Sequence, residues 1–425
     1  MKRFFAYCFA VFILFCVFGL VPIKANSVNC PFSRGVNLTN WFQSNSAYEI
    51  HFLKYSKTDF EQIKSLGCDV VRLPVNMHFM TNGAPDYTFD PLFLGYLDQV
   101  IDWCDDLSLH LIIDNHTFDV NTDTDPNVGT VLEKVWTQLA LRYLNAYENI
   151  YFEVLNEPHG IADDVWNAIQ LKVVEAIRKV NTKHTIIIGP ASWNSYNNLS
   201  KMPDFNDKKL IYTFHFYDPF LFTHQGASWS NLDSVQHIPF PYNAETMPQC
   251  PAQYKGTWVE DNYRGYSSNG TVQTVKQLID IAAKFAAERN VPIFCGEFGV
   301  FDTYAEPAER VFWYETVRQY LEQKNIAWTI WDYHGGIGIF NKGGNNMFEH
   351  DINLPLVEAL GFNVPNQTPY TLRPDSVGLK IYTDLLQANL TNSSFGKGTY
   401  NFFSQSYPNN GEFCIEWAKA TRYDA

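Results

Sequence analysis

Residues 150–189 read IYFEVLNEPHGIADDVWNAIQLKVVEAIRKVNTKHTIIIG. The first six, Ile150–Leu155, are strand formers and run into the polar turn Asn156-Glu157-Pro158. In Asp164–Val180, the side chains of Val173, Val174, Ile177 and Val180 fall on one face of a helix, with Asp163 or Asp164 as its cap. Thr185–Gly189 then returns as a second strand. A strand, a crossover helix and a strand of these lengths make a parallel βαβ unit.

The same alternation runs through most of the chain. Further strands are expected at Arg34–Leu38, Asp69–Val75, Leu109–Asn115, Leu210–Phe216, Pro292–Cys295 and Ala327–Trp331. Helices are expected at Lys57–Leu66, Leu92–Leu107, Val131–Leu144, Val272–Glu288 and Ala308–Gln323. Eight such units predict an α/β fold, a closed (β/α)8 barrel, whose catalytic side chains sit just past the C-terminal ends of the strands. The interval from Phe216 to Thr271 is long for a connection. It holds Trp229, Tyr242, Tyr254, Trp258, Tyr263 and Tyr266, too many aromatics for disorder. It is expected on the catalytic face, after strand six.

The ends of the chain read differently. Met1-Lys2-Arg3, the apolar run Phe4–Val21 and the small residue Ala25 form a secretory signal, cleaved after Ala25. The alternative is retention as a single membrane anchor. Cleavage removes Lys2, Arg3 and Lys24 and no acid, taking the net charge from −14 to −17. The expected organisation is therefore a leader (1–25), a catalytic barrel (26–362), a linker (363–378) and a β-rich segment (379–425). The last, with Leu379–Tyr382, Thr399–Phe403 and Phe413–Trp417, is short for a complete β-sandwich. Of eight cysteines, Cys8 and Cys16 leave with the leader. Cys30, Cys68, Cys104, Cys250, Cys295 and Cys414 show no CxxC spacing, which argues against structural zinc. Cys68 and Cys295 read as thiols buried in apolar strands. Glycosylation sequons stand at Asn37, Asn115, Asn198, Asn269, Asn366, Asn389 and Asn392.

Composition narrows the ligand. Acids outnumber bases 45 to 31, which opposes a polyanionic partner such as nucleic acid. Aromatics are 16% of the chain, which suits a neutral, flat-faced ligand such as a sugar, although a large core uses the same residues. Two strand ends carry carboxylates. Glu157 closes strand four in Asn156-Glu157-Pro158, and Glu297 closes strand seven in Gly296-Glu297-Phe298-Gly299. Glycoside cleavage needs two facing carboxylates, one protonated and one ionised.

With these residues the sequence resembles glycoside hydrolase family five, the large cellulase family of clan A, over about residues 32–362. All eight hallmark positions of that family have matches in order: Arg72 in Val71-Arg72-Leu73-Pro74, His116 in Asp114-Asn115-His116, Asn156 and Glu157, His215 and Tyr217 in His215-Phe216-Tyr217, Glu297, and Trp331 in Ile330-Trp331-Asp332-Tyr333. The resemblance implies that Glu297 is the nucleophile, Glu157 the acid/base and Trp331 a sugar platform. It also implies retention of configuration and no metal or cofactor. Arg72 and Tyr217 are expected to donate to Glu297 and lower its pKa, and Glu297 to raise that of Glu157. Asn156 is a neutral donor for a sugar 2-hydroxyl, and His116 and His215 are neutral hydrogen-bonders. His215 and Tyr217, two apart on a strand, point the same way. Glu153 shares the parity of Glu157 and reads as a buried structural carboxylate. Phe220–Trp229 resembles a segment of family members acting on cellulose and mixed β-glucans. Trp229 is then a second sugar platform on the leaving-group side, or core.

The expected protein is a secreted endo-β-1,4-glucanase with a β-glucan as its partner. A β-mannanase or xyloglucanase of the same family is the alternative. A non-catalytic polysaccharide-binding barrel is disfavoured because both glutamates are present. Gly335-Gly336-Ile337-Gly338 after strand eight raises a phosphate-binding barrel, but it is no convincing phosphate loop.

Overall fold

A computed structural model describes residues 28–117 and 121–370. The leader (1–25), the second half of the linker (371–378) and the β-rich segment (379–425) lie outside them. Eight parallel strands close into one barrel in sequence order. They are β1 (Arg34–Asn37), β2 (Val70–Val75), β3 (His110–Asn115), β4 (Ile150–Glu153), β5 (Thr185–Ile188), β6 (Leu210–Phe216), β7 (Ile293–Phe298) and β8 (Ala327–Ile330). The helices are α1 (Lys57–Ser65), α2 (Pro91–Leu107), α3 (Gly129–Arg142), α4 (Asp163–Val180), the single turns α5 (Ala191–Asn194) and α6 (Phe220–Thr223), α7 (Trp258–Asn269), α8 (Val272–Arg289), α9 (Pro307–Gln323) and α10 (Leu354–Ala359). No helix of the described residues is long and apolar enough to cross a membrane.

Local chemistry explains the helix starts. Ser56 and Asp59 form a capping box on α1, and Asp90 caps α2 ahead of Pro91. The expected aspartate cap of α4 is not there. Ala162 holds the cap position, and Asp163 accepts from Asn198 Nδ2 (2.6 Å) and Lys201 Nζ (2.9 Å) instead. Between β5 and β6 no full helix forms, only α5 and a 3-10 stretch, Tyr196–Lys201.

The barrel interior changes character along its axis. Val70, Ile112, Tyr151, Ile187, Ile211, Phe294 and Ala327, one from each of β2 to β8, pack with Phe32 into an apolar plug at the N-terminal end. Two residues further along, the same inward row becomes Arg72, Asp114, Glu153, Thr213, Gly296 and Thr329. Alternation of side chains across a strand thus carries one row from oil to charge. The larger apolar cluster lies between the strands' outer faces and the helices.

Strand β7 departs from expectation where it matters. It runs on to Phe298, so Glu297 sits inside it. Its pairing with β6 shifts register between Phe214 and His215, because Phe214 faces Cys295 but His215 faces Glu297. Gly296 is the extra residue, a bulge that re-aims the next side chain. A Cβ there would lie 3.0 Å from Thr213 Oγ1 and 3.1 Å from His215 Nε2, so glycine suits the close approach.

Candidate active site

Arg72 projects from β2 with every nitrogen engaged. Its Nε and Nη2 grip Glu153 at 2.7 and 3.0 Å. Nη2 also donates to Asn156 Oδ1 (2.8 Å) and lies 3.0 Å from Asp114 Oδ2. Nη1 donates to Asn37 Oδ1 (2.9 Å) and to Glu297 Oε1 (2.8 Å). A planar guanidinium with five donors suits such a node, whereas an ammonium does not. Glu153 is buried and paired, as its parity implied.

Around that node stand the sequence-derived residues. The hydroxyl of Tyr217 donates to Glu297 Oε2 (2.9 Å). His215 Nδ1 lies 2.6 Å from Glu157 Oε1 and 3.6 Å from Glu297 Oε2. Ligating atoms of Glu157, His215 and Glu297 all fall within 4.8 Å of one another. These three are the group among the described residues that could hold a metal, but Arg72 at 2.8 Å puts a fixed positive charge on Glu297. His116 Nδ1 meets Asp114 Oδ2 at 2.7 Å, and its ring stacks on Trp331 at 5.3 Å and 16°. The described polar atoms supply no partner for Asn156 Nδ2, which is buried. With Oδ1 held by Arg72, this amide is presented as a donor.

The electrostatics correct two expectations. Burial raises the pKa of Glu297 despite His215 and Arg72, which pull it down. Burial is also the largest influence on Glu157, pushing it up to about 8 against Arg72 and His159; Asp114 and Glu153 add to the rise. Glu297 alone of the two holds an ion pair with Arg72, so the shared proton goes to Glu157. Burial lowers His215 to about 4 and His116 to about 3, leaving both neutral at pH 7.

Trp229 is not part of this cluster. It is 45% exposed, 6.4 Å from the His224 ring and 4.9 Å from Phe301. Five residues were not anticipated as site residues: Asn37, Asn115, Asp114, Trp193 and His159. Asn37, read only as a sequon, is fully buried and donates to Gly296 O (3.1 Å) and Ile330 O (3.0 Å), tying β1 to β7 and β8. Asn115, another sequon, is buried too. Asp114 joins Arg72 to His116, and its charge at the end of the apolar run Leu111-Ile112-Ile113 is the sequence signal that could have found it. Trp193 stacks on His159 at 4.7 Å and 11°. His159 Nδ1 in turn meets the Glu157 carbonyl oxygen at 2.9 Å. Ser192, Trp193 and Asn194 all have positive φ, backbone strain of a kind that concentrates at functional sites. The cysteines Cys30, Cys68, Cys104, Cys250 and Cys295 are unpaired. Cys295 is in β7 and buried, as expected; Cys68 is buried but precedes β2.

Comparison with known proteins agrees with this geometry. The model of the cellulase family (glycosyl hydrolase family 5) matches residues 27–336. Endoglucanase 3 of Fibrobacter succinogenes is 30% identical over 335 residues, 73% of this chain; the chain spans about half (51%) of that longer protein. Endoglucanase C of Acetivibrio thermocellus is 32% identical over 324 residues, 71% of this chain and 91% of the relative. Among solved structures, endoglucanase Cel5A of Thermotoga maritima superposes with a TM-score of 0.64 at 26% identity, covering 77% of this chain and 96% of that one.

Proposed function

The chain belongs to glycosyl hydrolase family 5, and from that premise we propose that it is a secreted, retaining endo-β-1,4-glucanase. One observation carries the mechanism: oxygens of Glu157 and Glu297 lie within 4.8 Å of each other. Retaining enzymes hold their carboxyls about 5–5.5 Å apart, whereas inverting ones leave roughly 6.5–9.5 Å for a water.

In this reading Glu297, held by Arg72 and Tyr217, attacks the anomeric carbon and forms a glycosyl ester. Glu157 gives its proton to the departing glycosidic oxygen. Water then enters where the leaving sugar was, Glu157 takes its proton, and the ester to Glu297 breaks. Asn156 Nδ2 donates to the 2-hydroxyl, a bond that strengthens as the oxocarbenium-like state forms. Trp331, backed by His116, offers its face to the sugar whose bond is cut. Secretion rests on the leader pattern of residues 1–25.

The curated relatives named as endoglucanases support a β-1,4-glucan substrate. A β-mannan is the second reading, because Thermotoga maritima Cel5A has been solved with mannotriose as well as cellobiose. Reducing-end release from carboxymethyl cellulose, barley β-glucan, xyloglucan and galactomannan tests the assignment, with Glu297→Ala alongside. Release from the two glucans, abolished in the variant, is expected. Release chiefly from galactomannan moves the substrate to mannan. Glucan binding without release by the folded wild-type protein supports the non-catalytic barrel.

A further inference from the structure

Tryptophans among the described residues separate into two groups. Trp41, Trp136, Trp166, Trp313 and Trp328 are fully buried, and Trp103 and Trp331 are partly covered. Trp193, Trp229 and Trp258 are 50, 45 and 47% exposed, and all three follow the C-terminal end of β5 or β6. Scattered exposed apolar residues are ordinary. Confinement of the exposed tryptophans to two adjacent loops at the catalytic end is not a scatter.

Trp258 is joined to the reacting centre by contacts between rings. Tyr217, whose hydroxyl bonds Glu297, meets His224 edge-on at 5.0 Å. His224 stacks on Phe220 at 3.9 Å and 17°, and Phe220 lies 6.0 Å from Trp258. Trp229 approaches the same His224 from elsewhere, at 6.4 Å. The His224–Phe220 stack therefore sits between the two exposed indoles. Trp331 directly follows β8, and the aromatic row leaves β6; β7, carrying Glu297, lies between them. Within the row His224 is buried, so the surface that the row offers a chain beyond Glu297 is Phe220 and the two exposed indoles. Trp258 is held in place there as the first residue of α7, which Thr257 caps through Val259 N (3.2 Å).

We propose that Trp258 is a distal binding site for the leaving-group part of a glucan chain, continuous with the cleft and reached by substrates extending well beyond the cleaved bond. The proposal rests on the glucan-cleaving reading above. Its ligand is an uncharged β-1,4-linked sugar chain, whose flat apolar faces stack on exposed indoles.

The test is chain length. Values of kcat/KM for cellotriose, cellotetraose, cellopentaose, cellohexaose and barley β-glucan are compared for wild type, Trp258→Ala and Trp258→Phe, with Tm measured for each. Trp258→Ala should match wild type on cellotriose and fall roughly 3- to 10-fold on cellohexaose and β-glucan, the scale of one aromatic contact. Trp258→Phe should recover part of that loss. No loss at any length, or an equal loss at every length, overturns the proposal; the second outcome marks Trp258 as structural. A wild type that cleaves none of these substrates removes the glucan reading itself and this site with it.

Discussion

Arg72 places Nη1 2.8 Å from Oε1 of Glu297. That contact ties the proposed nucleophile to a guanidinium that also holds Glu153, Asp114, Asn156 and Asn37, so the position of Glu297 is set by four strands rather than by its own rotamer. An interior this charged is tolerated because the buried Arg72 faces several acids in hydrogen-bonding geometry.

Arg72→Lys should therefore be far from conservative. Lysine keeps the charge but cannot reach these partners at once, which leaves buried carboxylates without a donor. Stability should fall by about 3–5 kcal/mol in denaturant titration. kcat/KM on β-glucan should fall by at least about 100-fold, the scale of losing one well-placed catalytic donor. A folded, near-wild-type Arg72→Lys enzyme would refute the role of the node.

The pH behaviour follows from Glu157. Burial lifts its folded value from the ordinary 4.5 to about 8. The folded protein then keeps the proton that the reaction needs through neutral pH and loses it as pH rises through about 8. The alkaline limb of kcat/KM should fall there, and the acid limb should report ionisation of Glu297. The sign for stability is opposite to that of a salt-bridged acid. Ionising Glu157 costs the folded state more than the unfolded one, and that cost grows from about pH 4 upward. Glu157→Gln removes it. The Tm advantage of this variant over wild type should be near zero at pH 4 and largest at pH 8, while activity is lost throughout. A Tm difference that does not change with pH would contradict the raised value.

Asn156 offers a different check. Its Oδ1 is taken by Arg72 and its buried Nδ2 has no partner among the described polar atoms. Asn156→Ala should lower kcat/KM for an aryl β-cellobioside by about 10²-fold. With the 2-deoxy substrate at the cleaved ring, wild type and variant should nearly converge. A loss of equal size on both substrates would show that Asn156 acts by supporting Arg72 and not by binding the 2-hydroxyl.

Much of this was legible in the sequence, for physical reasons. Most of the strands announce themselves because parallel strands buried on both faces are short runs rich in Ile, Val, Leu and Phe, as in β2 to β7, whereas β1 (RGVN) and β8 (AWTI) are placed by the regular alternation around them. The Arg72–Glu297 and Tyr217–Glu297 contacts are expected from the family resemblance, which matches these residues to its hallmark positions, together with the need of an ionised carboxylate for donors. Other features needed the third dimension. The stretch forming α7 contains Gly265 and ends Ser267-Ser268-Asn269, which gives no apolar stripe to read. The bulge at Gly296 is a matter of register between two strands. The pairing of Trp193 with His159 joins the ends of β4 and β5 through a left-handed turn without glycine. The pKa of Glu297 went the other way from the sequence argument because burial outweighed the cation beside it.

The most direct test of the central claim is the anomeric configuration of the first product. Proton NMR during hydrolysis of cellopentaose, recorded before mutarotation, should show the new reducing end appearing first as the β-anomer, as double displacement through Glu297 requires. Initial release of the α-anomer would mean single displacement by water and would contradict the assignment of Glu297 as nucleophile.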